Sequence, residues 1–156
     1  MSLPYPRPTI SNATTSQTLS NLTNSPTSLQ LLGQFTISAN SIGNININKI
    51  SFITTVNPTF NSPNPITFTI TNAQLFNDSG ANNPIRDSSN NTLATTSITS
   101  GTSYSFTSTP GITILAGQSK TFYLFANVSY TIPVGYGGPN INVANIDTKL
   151  DLSRFL

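Results

Sequence analysis

The sequence predicts an all-β chain: an antiparallel β-sandwich, Ig-like or jelly-roll-like, of seven to nine strands with an extended N-terminal arm. Three observations predict it. Apolar residues recur at every second position in several runs, as half-buried strands require. Stretches rich in breakers, "NPTFNSPNP", "NDSGANNP", "AGQS" and "GYGGP", separate those runs. No window of ten or more residues carries an apolar stripe at helical spacing.

The 156 residues suit one domain with enough length for a core, divided into an arm, residues 1–28, and a sandwich, residues 29–156. In the arm, "LPYPRP" sets Pro4, Pro6 and Pro8 at alternate positions, which favours extended backbone and resists helix. The following "SNATTSQTLSNLTNSPTS" has only Ala13, Leu19 and Leu22 as apolar residues. That composition suits a disordered tail or an arm that orders against another subunit.

From residue 29 each strand has its own signature. In "LQLLGQFTISA" the odd positions Leu29, Leu31, Phe35, Ile37 and Ala39 make one face, with Gly33 the gap. In "IGNININKISFITTV" Ile45 and Ile47 alternate with asparagine, and the apolar parity then changes to Ile50 and Phe52. An extra residue near Lys49, a β-bulge, re-aims the side chains in this way; a strand passing between sheets is the alternative. "ITFTIT" alternates Ile66, Phe68 and Ile70 with threonine. "YSF" and "ITIL" flank Pro110-Gly111, which reads as a type II turn. "KTFYLFANVSYTI" carries Phe122, Leu124, Ala126, Val128, Tyr130 and Ile132 on one face. "INVANIDTKLDL" places Ala144, Ile146, Leu150 and Leu152 together, with Thr148 among them. Asparagine is a poor strand former, and the period sets Asn44, Asn46 and Asn48 on a solvated face.

Only 6% of residues are charged, against about 25% in an average domain. Arg7, Lys49, Arg86, Lys120, Lys149 and Arg154 are spread along the chain, so no cluster can neutralise several phosphates, and nucleic acid is not an expected partner. The longest apolar run, Phe122 to Ala126, is far below the ~20 residues of a membrane helix, so membrane insertion is not expected. "MSLPYPRPTI" has no apolar segment of the signal-peptide kind.

Without His, Cys or Glu, the usual acid–base and nucleophile pairs cannot be assembled. A Ser–Lys dyad lacks its spacing, since "GQSK" reads as a turn, and Asp78 with Asp87 makes a weak carboxylate pair in a loop. We assign no catalytic residue, expect no enzyme, and expect no cofactor. "NDSGANN" has oxygen donors around Gly80 but too few acids for a good calcium site, and no metal site is assigned. Sugar binding by a sandwich uses exposed aromatic faces; here only Tyr5, Tyr123 and Tyr136 offer themselves, and there is no Trp. Five N-x-S/T acceptors, Asn12, Asn21, Asn77, Asn90 and Asn127, are the candidate glycosylation positions if the chain is exported by an organism that N-glycosylates. Four acids, Asp78, Asp87, Asp147 and Asp151, leave little to titrate, so stability should be nearly flat between about pH 3 and 7.

The Asn/Thr/Ser-rich strands, the missing cysteine and the N-terminal arm resemble archaeal extracellular filament subunits of the thread or bundling-pilus kind. "FTISANSIGNININKISF" and "AGQSKTFYLFANVS" are also similar to secreted β-domains of microbial cell surfaces. The resemblance implies an extracellular, cell-surface homopolymer whose subunits join by donor-strand complementation, each binding copies of itself. It makes Ile10, Leu19 and Leu22 the donor-strand candidates, with "ANIDTKLDLSRFL" as an alternative donor or the last strand of the sandwich itself. The rival functions are a viral or phage structural protein, which Met1 without a signal peptide favours, and a carbohydrate-binding or adhesive module, in which Tyr136→Ala would abolish retention on glycans.

Overall fold

The computed structural model describes residues 8–11, 14–20, 29–58, 67–86, 89–90, 92, 94–98, 101, 103–131 and 143–150. It is all-β, with nine strands among those residues: β1 (Pro8–Ser11), β2 (Thr14–Ser20), β3 (Gln30–Ala39), β4 (Ile45–Pro58), β5 (Thr67–Phe76), β6 (Ala94–Ile98), β7 (Ser103–Ile114), β8 (Ser119–Thr131) and β9 (Val143–Leu150). They form a five-stranded sheet in the order β1-β3-β8-β5-β6 and a four-stranded sheet in the order β2-β9-β4-β7. The pairs β2/β9, β3/β8, β4/β7 and β5/β6 are all antiparallel and nested, like one long hairpin whose successive pairs fall in alternate sheets. That wrapping is the jelly roll; β1 adds a ninth strand to one edge.

The core fills the space between the sheets. Leu32, Phe35, Ile37, Ile70, Leu75, Phe122, Leu124, Ala126 and Val128 come from the larger sheet, and Ile45, Ile47, Ile50, Phe52, Phe106 and Ile114 from the smaller. Phe52 joins them. Its ring lies 5.1 Å from Phe35 across the sandwich, 5.9 Å from Phe106 and 5.8 Å from Tyr104, and Phe35 stacks on Phe122 at 5.2 Å.

The phase change in β4 is a bulge. Its register with β7 shifts between Ile47 and Lys49, so both Ile45/Ile47 and Ile50/Phe52 reach the core. A second shift, between Leu31 and Gly33 of β3, corrects the simple odd-numbered face. It turns Leu32 fully inward and leaves Leu29 and Leu31 half-buried. Pro110-Gly111 is likewise no turn between strands, because β7 runs through it. Gly111 nonetheless has the positive φ, 92°, that a type II turn asks of its glycine.

Phe125 and Phe76 are buried as well, although Phe125 lies out of phase with the inward row of β8. They meet edge to face at 5.2 Å, apart from the main core.

Candidate subunit interface

The N-terminal residues form a ribbon that serves both sheets. β1 pairs with β3 from Pro8 opposite Ala39 to Ser11 opposite Thr36. β2 pairs with β9 from Thr14 opposite Lys149 to Ser20 opposite Val143. The sequence permits this because Pro8 opens an edge strand, where its missing N–H breaks no ladder, and threonine suits a pleated surface. Both strands are outermost in their sheets, and β2 also lies against β3 across the flank. Of the donor-strand candidates, Ile10 is half-buried and packs on the core of its own chain, at a register position opposite Ile37. Leu19 stands opposite Ala144, and Leu22 lies outside the described residues. The β2 positions opposite Thr148, Ile146 and Ala144 are Thr15, Gln17 and Leu19, a row with one apolar residue in three. β9, the C-terminal alternative, is an inner strand with β2 on one side and β4 on the other.

Among the described residues, hydroxyls and amides bond to one another across the strands, both at the surface and, at Ser51, out of solvent. Thr36 Oγ1 meets Thr121 Oγ1 at 2.9 Å, Ser38 Oγ meets Ser119 Oγ at 2.7 Å, and Ser51 Oγ meets Ser105 Oγ at 2.8 Å, each pair across neighbouring strands. Along the exposed side of β4, Asn44 Oδ1 accepts from the Ala116 N–H at 2.9 Å, Asn46 Nδ2 donates to Asn48 Oδ1 at 3.3 Å, and Thr113 Oγ1 donates to Asn46 Oδ1 at 3.3 Å. The asparagines are therefore ties between the start of β4 and the end of β7 with the turn that follows it. Spacing alone did not reveal this, because the partners are 67 and 72 residues away.

One pole of the sandwich joins the β3–β4 and β7–β8 turns. Gly117 N–H donates to the Ala39 and Asn40 carbonyls at 3.1 and 3.0 Å. Ile42 and Leu115, at 51% and 58% exposure, are the large apolar side chains left outside among the described residues. Nearby, Lys120 Nζ donates to Asn77 Oδ1 at 2.7 Å and sits 5.8 Å from the centre of the Phe122 ring. Loss of solvent around the Lys120 ammonium lowers its pKa.

Asp78 organises the loop that looked most like a metal site. Its carboxylate accepts from the backbone N–H of Asn83 at 2.8 Å and of Asn82 at 3.1 Å, and from Asn82 Nδ2 at 3.2 Å. The Asn83 bond is the main cause that lowers its pKa. Its oxygens thus serve the turn, and among the described residues no group of acids gathers to hold a metal.

At the other end of the smaller sheet, buried Thr54 Oγ1 bonds Tyr104 Oη at 2.6 Å and Thr148 Oγ1 at 3.2 Å. Desolvation raises the Tyr104 pKa beyond the usual phenol range. A raised folded value means that this contribution to stability is intact below the ordinary value, about 10, and is lost as pH rises through the folded one. The lowered Asp78 value works the other way: its small, exposed contribution holds above the ordinary carboxylate value, about 4, and fades as pH falls through the folded one. We expect the melting temperature to be level between about pH 5 and 9 and to fall above about pH 10, with Tyr104→Phe removing that alkaline fall. Calorimetry across the range checks this; a steep loss between neutral and mildly acid pH would refute it.

The acceptor asparagines fare differently. Asn12 and Asn21 lie outside the described residues. Asn77 is exposed, but both ends of its amide are engaged, since Nδ2 also donates to the Asn83 carbonyl at 3.4 Å. Asn127 is half-buried on β8, which lies between β3 and β5. Asn90 is exposed. Of the aromatic platform considered for sugars, Tyr123 is half-buried, and Tyr5 and Tyr136 lie outside the described residues. No family model, no characterised protein and no solved structure matches this chain.

Proposed function

We propose that this chain is a structural subunit of an extracellular filament or surface layer, with copies linked by exchange of the ribbon Pro8–Ser20. The observation that carries the proposal is the placement of that ribbon. One terminal segment supplies the edge strand of both sheets on one flank, so moving it to a neighbour recreates the same hydrogen bonds between copies. Main-chain bonding gives affinity in such an arrangement, and Ile10, which packs on the core, gives register. Each copy then donates one ribbon and receives one, a head-to-tail contact that propagates unless the rotation closes it. Low charge adds to this, because like copies approach without repulsion.

The nested strand order favours a second reading. Jelly rolls are common in virus capsids and lectins, and a virion structural protein would use the same uncharged faces for packing.

The test is light scattering of the concentrated chain after partial unfolding and refolding, beside a variant lacking residues 1–28. We expect a polymer from the full chain and none from the variant. We also expect the variant to bind a synthetic peptide of residues 1–28 and to regain stability. A full chain that stays monomeric under these conditions would refute strand exchange, and co-purification with nucleocapsid-like particles would favour the virion reading.

A further inference from the structure

We propose that Asn90 is the acceptor of an asparagine-linked glycan, and that the fold withholds Asn77 and Asn127 from the same modification. The inference is independent of strand exchange. The acceptor pattern Asn90-Asn91-Thr92 lies in the connection between β5 and β6, residues 77–93. Connections longer than about 12–15 residues are uncommon in compact domains, and those that occur are often functional.

Within that connection, residues 86 and 92 form an isolated antiparallel bridge. Arg86 Nη1 also donates to the Asn90 carbonyl at 2.9 Å. The backbone of the acceptor is thereby held while its side chain is left alone. Asn90 takes φ 66°, a left-handed conformation that asparagine tolerates better than most residues. Asn90 and Thr92 are both exposed, and the Asn90 amide makes no hydrogen bond among the described residues. Such an amide can enter a transferase site without breaking a side-chain hydrogen bond among the described residues.

The other two acceptors cannot do so. To enter a transferase site Asn77 would have to leave both the bond its nitrogen makes to the Asn83 carbonyl and the bond its oxygen accepts from Lys120. Asn127 is half-buried on an inner strand, opposite Thr71 of β5. The β5–β6 connection borders the edge of the larger sheet farthest from β1, so a glycan there leaves the ribbon flank clear.

The step joins the Asn90 amide nitrogen to C1 of a sugar carried on a lipid diphosphate. The N–C1 bond forms, the bond from C1 to the diphosphate oxygen breaks, the lipid diphosphate leaves, and the amide gives up one proton. The co-reactants are therefore a lipid-diphosphate-linked oligosaccharide and its transferase.

The experiment treats the folded chain, carrying Asn12→Gln and Asn21→Gln, with a purified single-subunit oligosaccharyltransferase specific for N-x-S/T and its lipid-linked donor. Intact mass and glycopeptide mapping follow. We expect one glycan, at Asn90, lost in Asn90→Asp and in Thr92→Ala and retained in Asn77→Gln and Asn127→Gln. A bare Asn90 on the folded chain overturns the proposal, as does occupancy of Asn77 or Asn127 equal to that of Asn90.

Discussion

Phe52→Ala is expected to destabilise the domain by about 3–5 kcal/mol, the usual cost of removing a large aromatic side chain from a core. Phe52 is 1% exposed, and it is the ring through which the smaller sheet meets both Phe35 of the larger one and its neighbours Tyr104 and Phe106. Truncation leaves a cavity between two sheets whose strands are held in register by backbone bonds, so the walls can collapse only partly. Against a total stability of about 5–15 kcal/mol, the loss is a large share, and the melting temperature should fall by roughly 10 °C. Phe52→Leu keeps most of the volume and should cost about 1–1.5 kcal/mol. Urea titration with an unchanged slope checks both values. Equal losses in the two variants would mean that ring contacts, not filled space, dominate at this position.

Phe52 also illustrates what could be read from the sequence. Its inward aim depends on the bulge near Lys49, and the sequence betrayed that bulge because isoleucine changes parity around it. The face of β8 was legible for the same reason: Phe122, Leu124, Ala126 and Val128 alternate without a break, and all four are buried. β6 left no such trace. "ATTSI" is mostly threonine and serine, residues as fit for a turn as for an edge strand, so apolar periodicity has nothing to mark. The same holds for β1 and β2, whose strand character rests on which edges they meet. Leu32 was hidden by the opposite effect, since its run "LQLL" offers two competing faces and only the register shift chooses between them.

The candidate site was legible in composition and obscure in detail. Asn90 is one of five matches to a short pattern, and what distinguishes it from Asn77 is a lysine 43 residues beyond the latter. A pairing over that distance follows from the strand order, because Asn77 directly follows β5 and Lys120 is the second residue of β8, its neighbour in the sheet. The strand order thus had to be known before the acceptors could be ranked.

Gly111→Ala is the second large effect, expected at about 2–4 kcal/mol from two separable causes. The first is backbone: at φ 92° any side chain is strained, typically by about 1–2 kcal/mol. The second is contact. A Cβ at this position would run into Asn48 Oδ1 and stand 2.7 Å from Asn46 Oδ1, so the asparagines that tie β4 to β7 must swing away. Losing the Asn46–Asn48 and Thr113–Asn46 bonds adds about 1–2 kcal/mol. Gly117→Ala separates the causes. Gly117 has φ 73° but nothing within 4 Å of the added carbon, so it should lose only the backbone part, about 1–2 kcal/mol. Adding Asn48→Ala to Gly111→Ala should then be less costly than the two changes summed, because the shortened side chain vacates the space the methyl needs. Strict additivity in that double-mutant cycle would show that the asparagine row does not depend on the missing side chain at Gly111. Coupling would show that the change of parity at Lys49, the asparagines before it and the glycine opposite them form one structural unit.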